Sequence, residues 1–580
     1  MLEIRPTRAA MAILVLLALS AIAGCGRKSS ESAALENEAG ILRFVPADTP
    51  YVIVNAGPID DELLDKMTGN NPEIMSAYRI VIDDAIRQAA AEYPESAPER
   101  VEIERSAEMM GRIVEFLSLD GMRAAGVDIN ASMAVYGNGL LPVLRARLTD
   151  ADRFEAAIAG IEADAGHALE QGEIDGYSYR HAGDDEGRIV VAAIDDYVVI
   201  TMVPSGFGDA ELRSLLGLTL PAENLAKAGT LADLAREHGY TRHYLGYVDL
   251  RRITSTLVES RSGLDARLLQ GAEFDPDALS DACRQEILEL ADIAPRTVFG
   301  YTRIADDGID SSLTVELRPD LALGLTVLPS AIPGLGVDSG GLMSFGMSLD
   351  PAALRTFYEA RLEAISADPW ECEYFAELEA SAERGRELLA QPIPPVVYGF
   401  RGVVGVVDRL DVAAMTTGQP PTSADAALLL AIENAPELLT MLAMFSPDLA
   451  ALDIQPDGEP VALALPQAAL LPDMPYAALT DSALVVSTGQ GAPARISRLL
   501  AADAAATPPF LALAGDVGRY YETIAGAMLG PDAADELSPE ARMAMADSLR
   551  SLAAVYDRLQ VNVLFTKRGI RLDAGMTFKD

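Results

Sequence analysis

A set of elements that occurs twice, in the same order, constrains this chain more than any other feature. In the first occurrence, residues 189–193, an Asp195-Asp196 turn and residues 197–202 read as a β-hairpin, and a helix from about Asp209 to Leu216 follows. The strand 243–249 ends in Asp249 and runs into a helix with Leu250, Ile253 and Leu257 on its inner side. Residues 298–304, an Asp307-Gly308 turn and residues 309–317 then close the unit as a hairpin of the kind Asp-Gly favours. In the second occurrence the hairpin is 477–488, turning at Thr480-Asp481, and its helix ends at Leu499-Leu500. The strand 510–516 ends in Asp516, 267 residues after Asp249, and the closing hairpin turns at Gly569, 261 residues after Gly308. Two offsets this close, on elements in one order, predict an internal duplication.

The expected fold is α+β, with two related halves that are each a mostly antiparallel sheet covered by helices. The first half spans 41–327 and carries a helical insertion at about 72–122, where Ile74, Met75, Tyr78, Ile82 and Ile86 fall near helical spacing. The second spans 342–580, and the Pro/Gly-rich stretch 328–341 is the linker. A hydrophobic fraction of 50% over 580 residues is enough for more than one core. The net charge of −42 argues against nucleic acid, whose phosphates it would repel, and equally against adhesion to anionic lipid. The acidic residues are scattered, so they read first as a solvated surface; a basic partner or a saline habitat is the alternative.

The N-terminus supplies an address. Arg5 and Arg8 precede an apolar run of about 15 residues, too short to cross a bilayer as a helix, so residues 1–24 read as a signal peptide. Ile22-Ala23-Gly24-Cys25 resembles the bacterial lipobox. That resemblance implies a lipidated Cys25 as the mature N-terminus, which would hold the body on a membrane by its acyl chains. Gly26 follows where an Asp would resemble an inner-membrane retention signal, so the expected location is the outer membrane. The alternative is ordinary cleavage after Ala21-Ile22-Ala23, leaving Cys25 a free thiol. Residues 25–40, polar and rich in small side chains, then form the lipidated terminus and tether. The duplicated body resembles large bacterial envelope lipoproteins, a likeness that implies no activity.

Of the 3 cysteines, Cys283 and Cys372 belong to the body and lie 89 residues apart. In an oxidising compartment they are expected to pair, with roughly 4 to 5 kcal/mol of stabilisation from loop closure. Such a bridge would staple one half to the other. Two buried free thiols are the competing reading, and neither cysteine has redox or zinc spacing.

No catalytic, cofactor-binding or metal-ligating residue emerges. Asp249, Asp350 and Asp516 each close an apolar strand and open a helix, as does Asn434, which is the position of an N-cap. Asp350-Pro351 shows it most clearly, with Leu354, Phe357, Tyr358 and Leu362 on one face. His238 and His243 are five apart, not the four that would put them on one helix face for zinc, and His167 and His181 are isolated. Gly206-Phe207-Gly208 and Gly489-Gln490-Gly491 lack the further glycines and the Lys of a phosphate loop. Gly334-Leu335-Gly336 lies in the linker, and Gly346-Met347-Ser348 is not a nucleophile elbow. The acidic pairs Asp60-Asp61, Asp184-Asp185 and Asp306-Asp307 lack calcium-loop spacing.

Three functional classes follow. The first is a non-catalytic, membrane-anchored scaffold or binding protein with an envelope protein as partner. The second is a carrier of a hydrophobic or lipid ligand in a cleft between the halves. The third, the weakest, is a hydrolase whose nucleophile and base meet only in three dimensions.

Overall fold

The computed structural model describes residues 39–579 apart from short gaps, of which 101–115, 411–422, 465–472 and 531–536 are the longest. Cys25, most of the tether and His167 lie outside the described residues. The fold is α+β around one large open antiparallel sheet.

Ten strands precede residue 320: β1 Tyr51–Asn55, β2 Met133–Asn138, β3 Leu141–Arg147, β4 Glu170–Ile174, β5 Tyr177–Asp184, β6 Gly187–Ile194, β7 Tyr197–Pro204, β8 Leu245–Asp249, β9 Arg296–Ala305 and β10 Gly308–Glu316. Nine follow: β11 Met343–Ser348, β12 Phe400–Leu410, β13 Ala424–Ile432, β14 Val461–Ala462, β15 Tyr476–Leu479, β16 Ala483–Thr488, β17 Leu511–Asp516, β18 Tyr556–Thr566 and β19 Gly569–Phe578. Pairing runs β4-β5-β6-β7-β3-β2-β1-β8-β9-β10-β19-β18-β17-β11-β12-β13-β16-β15-β14, and each of these pairs is antiparallel. At the centre β10 pairs with β19 without a break, from Gly308 opposite Thr577 to Glu316 opposite Gly569. The outer edges are β4, which carries Glu170 and Glu173, and the two-residue β14. Charge on one edge and shortness at the other discourage edge-to-edge association.

Helices sit on the connections. Asp61–Met67, Asn71–Ala91 and Leu119–Ala124 lie between β1 and β2, and Pro351–Ala367, Ala376–Leu389 and Pro395–Tyr398 lie between β11 and β12. Leu250–Glu259, Gly263–Gly271 and Asp281–Ala291 join β8 to β9, while Val517–Met528 and Pro539–Val555 join β17 to β18. The expected capping accounts for several of their starts. Asp249 accepts the Arg252 N–H at 2.8 Å, Asp350 accepts those of Ala352 and Ala353, and Asp516 accepts that of Arg519. Asn434 differs: it turns the chain in the left-handed region at φ 55°, and its backbone carbonyl accepts from Glu437.

Among the contacts between helices of the early and late parts of the chain, two are made through a carboxylate that receives backbone N–H groups. In one, Cys283 and Cys372 are bridged, with Cα atoms 4.7 Å apart, and Glu286 accepts the N–H groups of Glu371 and Cys372 at 2.6 and 2.9 Å. In the other, helix Asn71–Ala91 packs on helix Pro539–Val555, and Asp84 accepts the Ser538 N–H at 3.0 Å. That bond holds the Asp84 carboxyl below its ordinary range.

The stretch 328–341 is not a free bridge. Leu328, Ile332 and Leu335 are buried, and the last two belong to the core under β12, β13 and β16. At the front of the described chain, Phe44 enters the first core beneath the Arg145 guanidinium, 3.9 Å from its ring centroid. Arg145 is fully buried, and among the described residues its partners are the Phe44 and Tyr197 rings, Tyr136 and the Leu216 carbonyl at 2.7 Å.

Candidate functional site

Residues paired across antiparallel strands point to one face, so the register sorts every strand residue into two sets. One set, here the back, holds Val52, Tyr136, Val143 and Tyr247 under Leu212, Leu215 and Leu216 of helix Asp209–Leu216, and under Leu231 and Leu234 of helix Thr230–His238. Toward β16 the same face holds Val404, Leu429 and Val485 under Ile496 and Leu499 of helix Ala492–Leu500. Each flank of the back is therefore a helix-covered core.

The front set is also apolar, strand after strand. Successive pairings carry it from Leu144 through Val135, Ile53, Gly246, Phe299 and Leu313 to Leu572. It continues through Val563, Leu511, Met347 and Val403 to Leu430 and Leu484. Over β2, β3 and β7 this face is closed by helix Ala151–Ala165, whose Phe154 packs with Val135, Leu144 and Val198. At the opposite end, helix Ala435–Phe445 covers Ala477, Leu479 and Leu484. Leu63, Leu64 and Leu119 close one margin over Tyr301, Ile309 and Met576.

Between these covers no described residue closes the front. Phe345, Leu428, Val486, Leu511 and Leu513 are exposed, as are Leu313 and Leu572 on the central pair. Phe345, Leu428 and Leu513 sit in one ladder row, since Leu513 pairs with Phe345, Phe345 with Gly405, and Gly405 with Leu428. Gly405 makes that row possible: a Cβ there would meet the Phe345 ring at 2.4 Å, so the ring lies across the neighbouring strand. Leu442, Met444 and Phe445 at the end of helix Ala435–Phe445 are exposed apolar side chains as well. Contiguous exposed apolar surface on a sheet is the usual mark of an interaction or ligand site.

This surface escaped the sequence reading, although a signal was present. β13 reads ADAALLLAI, apolar at consecutive positions, where an antiparallel strand with one wet face would alternate. β17 reads LALAGD, and its large residues Leu511 and Leu513 point outward while Ala512 and Ala514 point to the back.

The residues singled out by motif have local partners. His243 is fully buried, with Nδ1 3.2 Å from Asn55 Oδ1 and Nε2 3.5 Å from Arg242 Nε. Burial, aided by Arg242, lowers its pKa to about 4. His238 stacks on Tyr240 at 5.2 Å and lies 3.2 Å from Arg568; burial and that guanidinium lower its pKa. His181 faces Glu170 at 3.7 Å, and burial lowers its pKa as well. At Gly489-Gln490-Gly491 the chain's own Asp425 accepts the Gln490 N–H at 2.7 Å, standing where an anion would sit. At Gly206-Phe207-Gly208, Glu211 accepts the Gly208 N–H at 2.9 Å. Gly334 and Gly336 turn the chain at φ 74° and 76° around buried Leu335. Ser348 is buried and donates to the Pro509 carbonyl at 2.8 Å. Asp60 accepts the Glu62 N–H, Asp307 pairs with Arg303, and Asp185 lies outside the described residues.

An arginine-lined groove beside helices Leu250–Glu259 and Asp281–Ala291 is locally neutralised: Arg251 pairs with Asp292 at 2.7 Å, Arg261 with Asp277 at 2.5 Å, and Arg284 with Asp281. Among the described residues no group of three His, Cys, Asp or Glu is placed to hold a metal ion, and no helix is long and apolar enough to cross a membrane. Compared with known proteins, the chain matches no family, no curated sequence and no solved structure.

Proposed function

We propose that this chain is a non-catalytic envelope lipoprotein, held on the outer membrane by a lipidated Cys25, which binds a partner through the bare front face around Phe345 and Leu428. The single observation that carries the binding role is that face: an apolar ladder row left uncovered beside equally apolar rows that helices close. The address rests on the lipobox-like Ile22-Ala23-Gly24-Cys25. A duplicated body is part of the proposal. From the β10/β19 centre outward, β10, β9, β8, β1, β2, β3, β7, β6 and β5 run on one side; β19, β18, β17, β11, β12, β13, β16, β15 and β14 run on the other. Both lists meet the chain in the same sequence order, with β4 the one extra strand. The 261-residue offset also maps Ser312 onto Asp573, which are ladder partners, as a two-fold axis through that pair requires.

A carrier role is the second reading. It is favoured by the bare row having only hydrocarbon side chains, which offer an acyl chain contact without unmet hydrogen bonds. To test the proposal, a photo-reactive amino acid is placed at Leu428 or at exposed Ala156 of the membrane-anchored protein, and cells are irradiated. Adducts from position 428 alone, lost when Phe345→Asp is added, are expected. Adducts equally from both positions, or a mature protein without acyl mass on Cys25, would count against binding and address respectively.

A further inference from the structure

We infer that the occupant of the bare face is an amphipathic α-helix of a partner protein whose outer side is basic. The inference rests on the proposed duplication, because the early half then displays what closes this surface. There, helix Ala151–Ala165 lies on the front with Phe154 and Ile158, four residues apart, packed against Leu144 and its neighbours. Under the strand correspondence β3 to β13 and β7 to β16, Leu144 becomes Leu428 and Ile200 becomes Val486; each pair is directly opposite in its own ladder. The early row is covered by the chain itself, whereas the described residues leave the late row open: Leu428 and Val486 stay exposed while helix Ala435–Phe445 packs with Leu430, Leu484, Ala477 and Leu479 beside them.

A helix also suits the chemistry better than an extended peptide. The backbone groups of β13 are already used on both sides, by β12 and β16, so an extended chain would bring N–H and C=O groups to a surface with no partner for them. A helix satisfies its own backbone, and anchors spaced four residues apart are the standard way such a segment enters an apolar groove. The charge of −42 selects the outer side of that helix: cationic residues are attracted, and acidic ones repelled, by the body it approaches.

The test uses a fluorescein-labelled synthetic peptide copying residues 149–166, with Asp152→Lys, Ala156→Lys and Ala159→Lys on the side that faces solvent in the parent helix. Its anisotropy is titrated with the oxidised full chain. Saturable binding is expected, weakened at least about tenfold by Leu428→Asp, by Val486→Ser, or by Phe154→Asp in the peptide, and weakened again by added salt. Circular dichroism confirms that both protein variants fold. No saturable binding, or binding indifferent to all three changes, overturns the inference. So does a fluorescent fatty acid that binds in a Leu428-dependent way where the peptide does not, an outcome that leaves the docking face itself standing.

Discussion

Two stretches of the same sheet face have opposite fates. On β2 and β3 the front residues Val135 and Leu144 are 7% and 8% exposed; on β11 and β13 Phe345 and Leu428 are 43% and 49% exposed. Both stretches carry large apolar residues on this face, so the hydrophobicity of the front row does not separate them. What differs is where the next helix lands. After β3 the chain returns as Ala151–Ala165 over Leu144 and Val135, and after β13 helix Ala435–Phe445 packs with Leu430, Leu484 and Leu479, leaving Leu428 exposed. Fully burying a Leu or Phe contributes roughly 1.5–3 kcal/mol, so an open row forgoes several kcal/mol that a bound partner can recover. The difference teaches that a fold can be finished on one flank and left to be completed by binding on the other.

The largest effect should come from the closed flank. Phe154→Ala, which leaves a cavity over Leu144, is expected to cost about 3–5 kcal/mol, whereas Phe345→Ala should cost under about 1 kcal/mol and act on binding instead. Urea denaturation of the two variants checks this, and equal losses would erase the contrast.

The two cross-chain helical contacts sharpen the comparison in a different way. Both use a carboxylate, Glu286 or Asp84, to receive backbone N–H groups from the far part of the chain, but only the first is also covalent. Replacing both Cys283 and Cys372 by Ser should lower stability by about 2–5 kcal/mol, and Asp84→Ala by about 1–3 kcal/mol through the unmet Ser538 N–H. Hydrogen exchange should then rise in 376–389 for the first variant and in 539–555 for the second.

Acid should loosen the early flank selectively, because all 4 histidines precede residue 244. His243 titrates at about 4 when folded, below its ordinary 6.5. The unfolded chain therefore binds the extra proton between those values: stability is full above pH 6.5 and declines toward pH 4, by up to about 1.4 kcal/mol per pH unit. Hydrogen exchange at β8 against β17 across this range checks it. His243→Gln should flatten the slope; an unchanged slope would assign it to other groups. The smallest effect is local: Asp350→Ala should cost about 1 kcal/mol by uncapping Pro351–Ala367, read from a shift in denaturation midpoint.

Much of the local structure was legible in the sequence, because period, turn chemistry and capping act over a few residues. The Asp307-Gly308 hairpin, the caps at Asp249, Asp350 and Asp516, and the Cys283–Cys372 pair are all present as expected. The β4/β5 hairpin was invisible, since Glu170–Ile174 is polar and draws its order from pairing with Tyr177–Asp184. The stretch 328–341 read as a linker because its Pro and Gly residues mask Ile332 and Leu335, which enter the late core. The contact between Asp84 and Ser538 spans 454 residues, beyond any local pattern. The bare face was hidden for a related reason: alternation assigns a residue to one face or the other, but only the path of the connecting helix decides which face is closed.

The most direct measurement is the labelling rate of a single introduced thiol at each flank, with the Cys283–Cys372 bridge intact and Cys25→Ser removing any other thiol. Leu428→Cys should react with maleimide about as fast as an unstructured peptide thiol, and Leu144→Cys orders of magnitude more slowly, limited by local opening. Comparable rates at the two positions would mean that the late face is closed too, and the account of an open docking surface would fall.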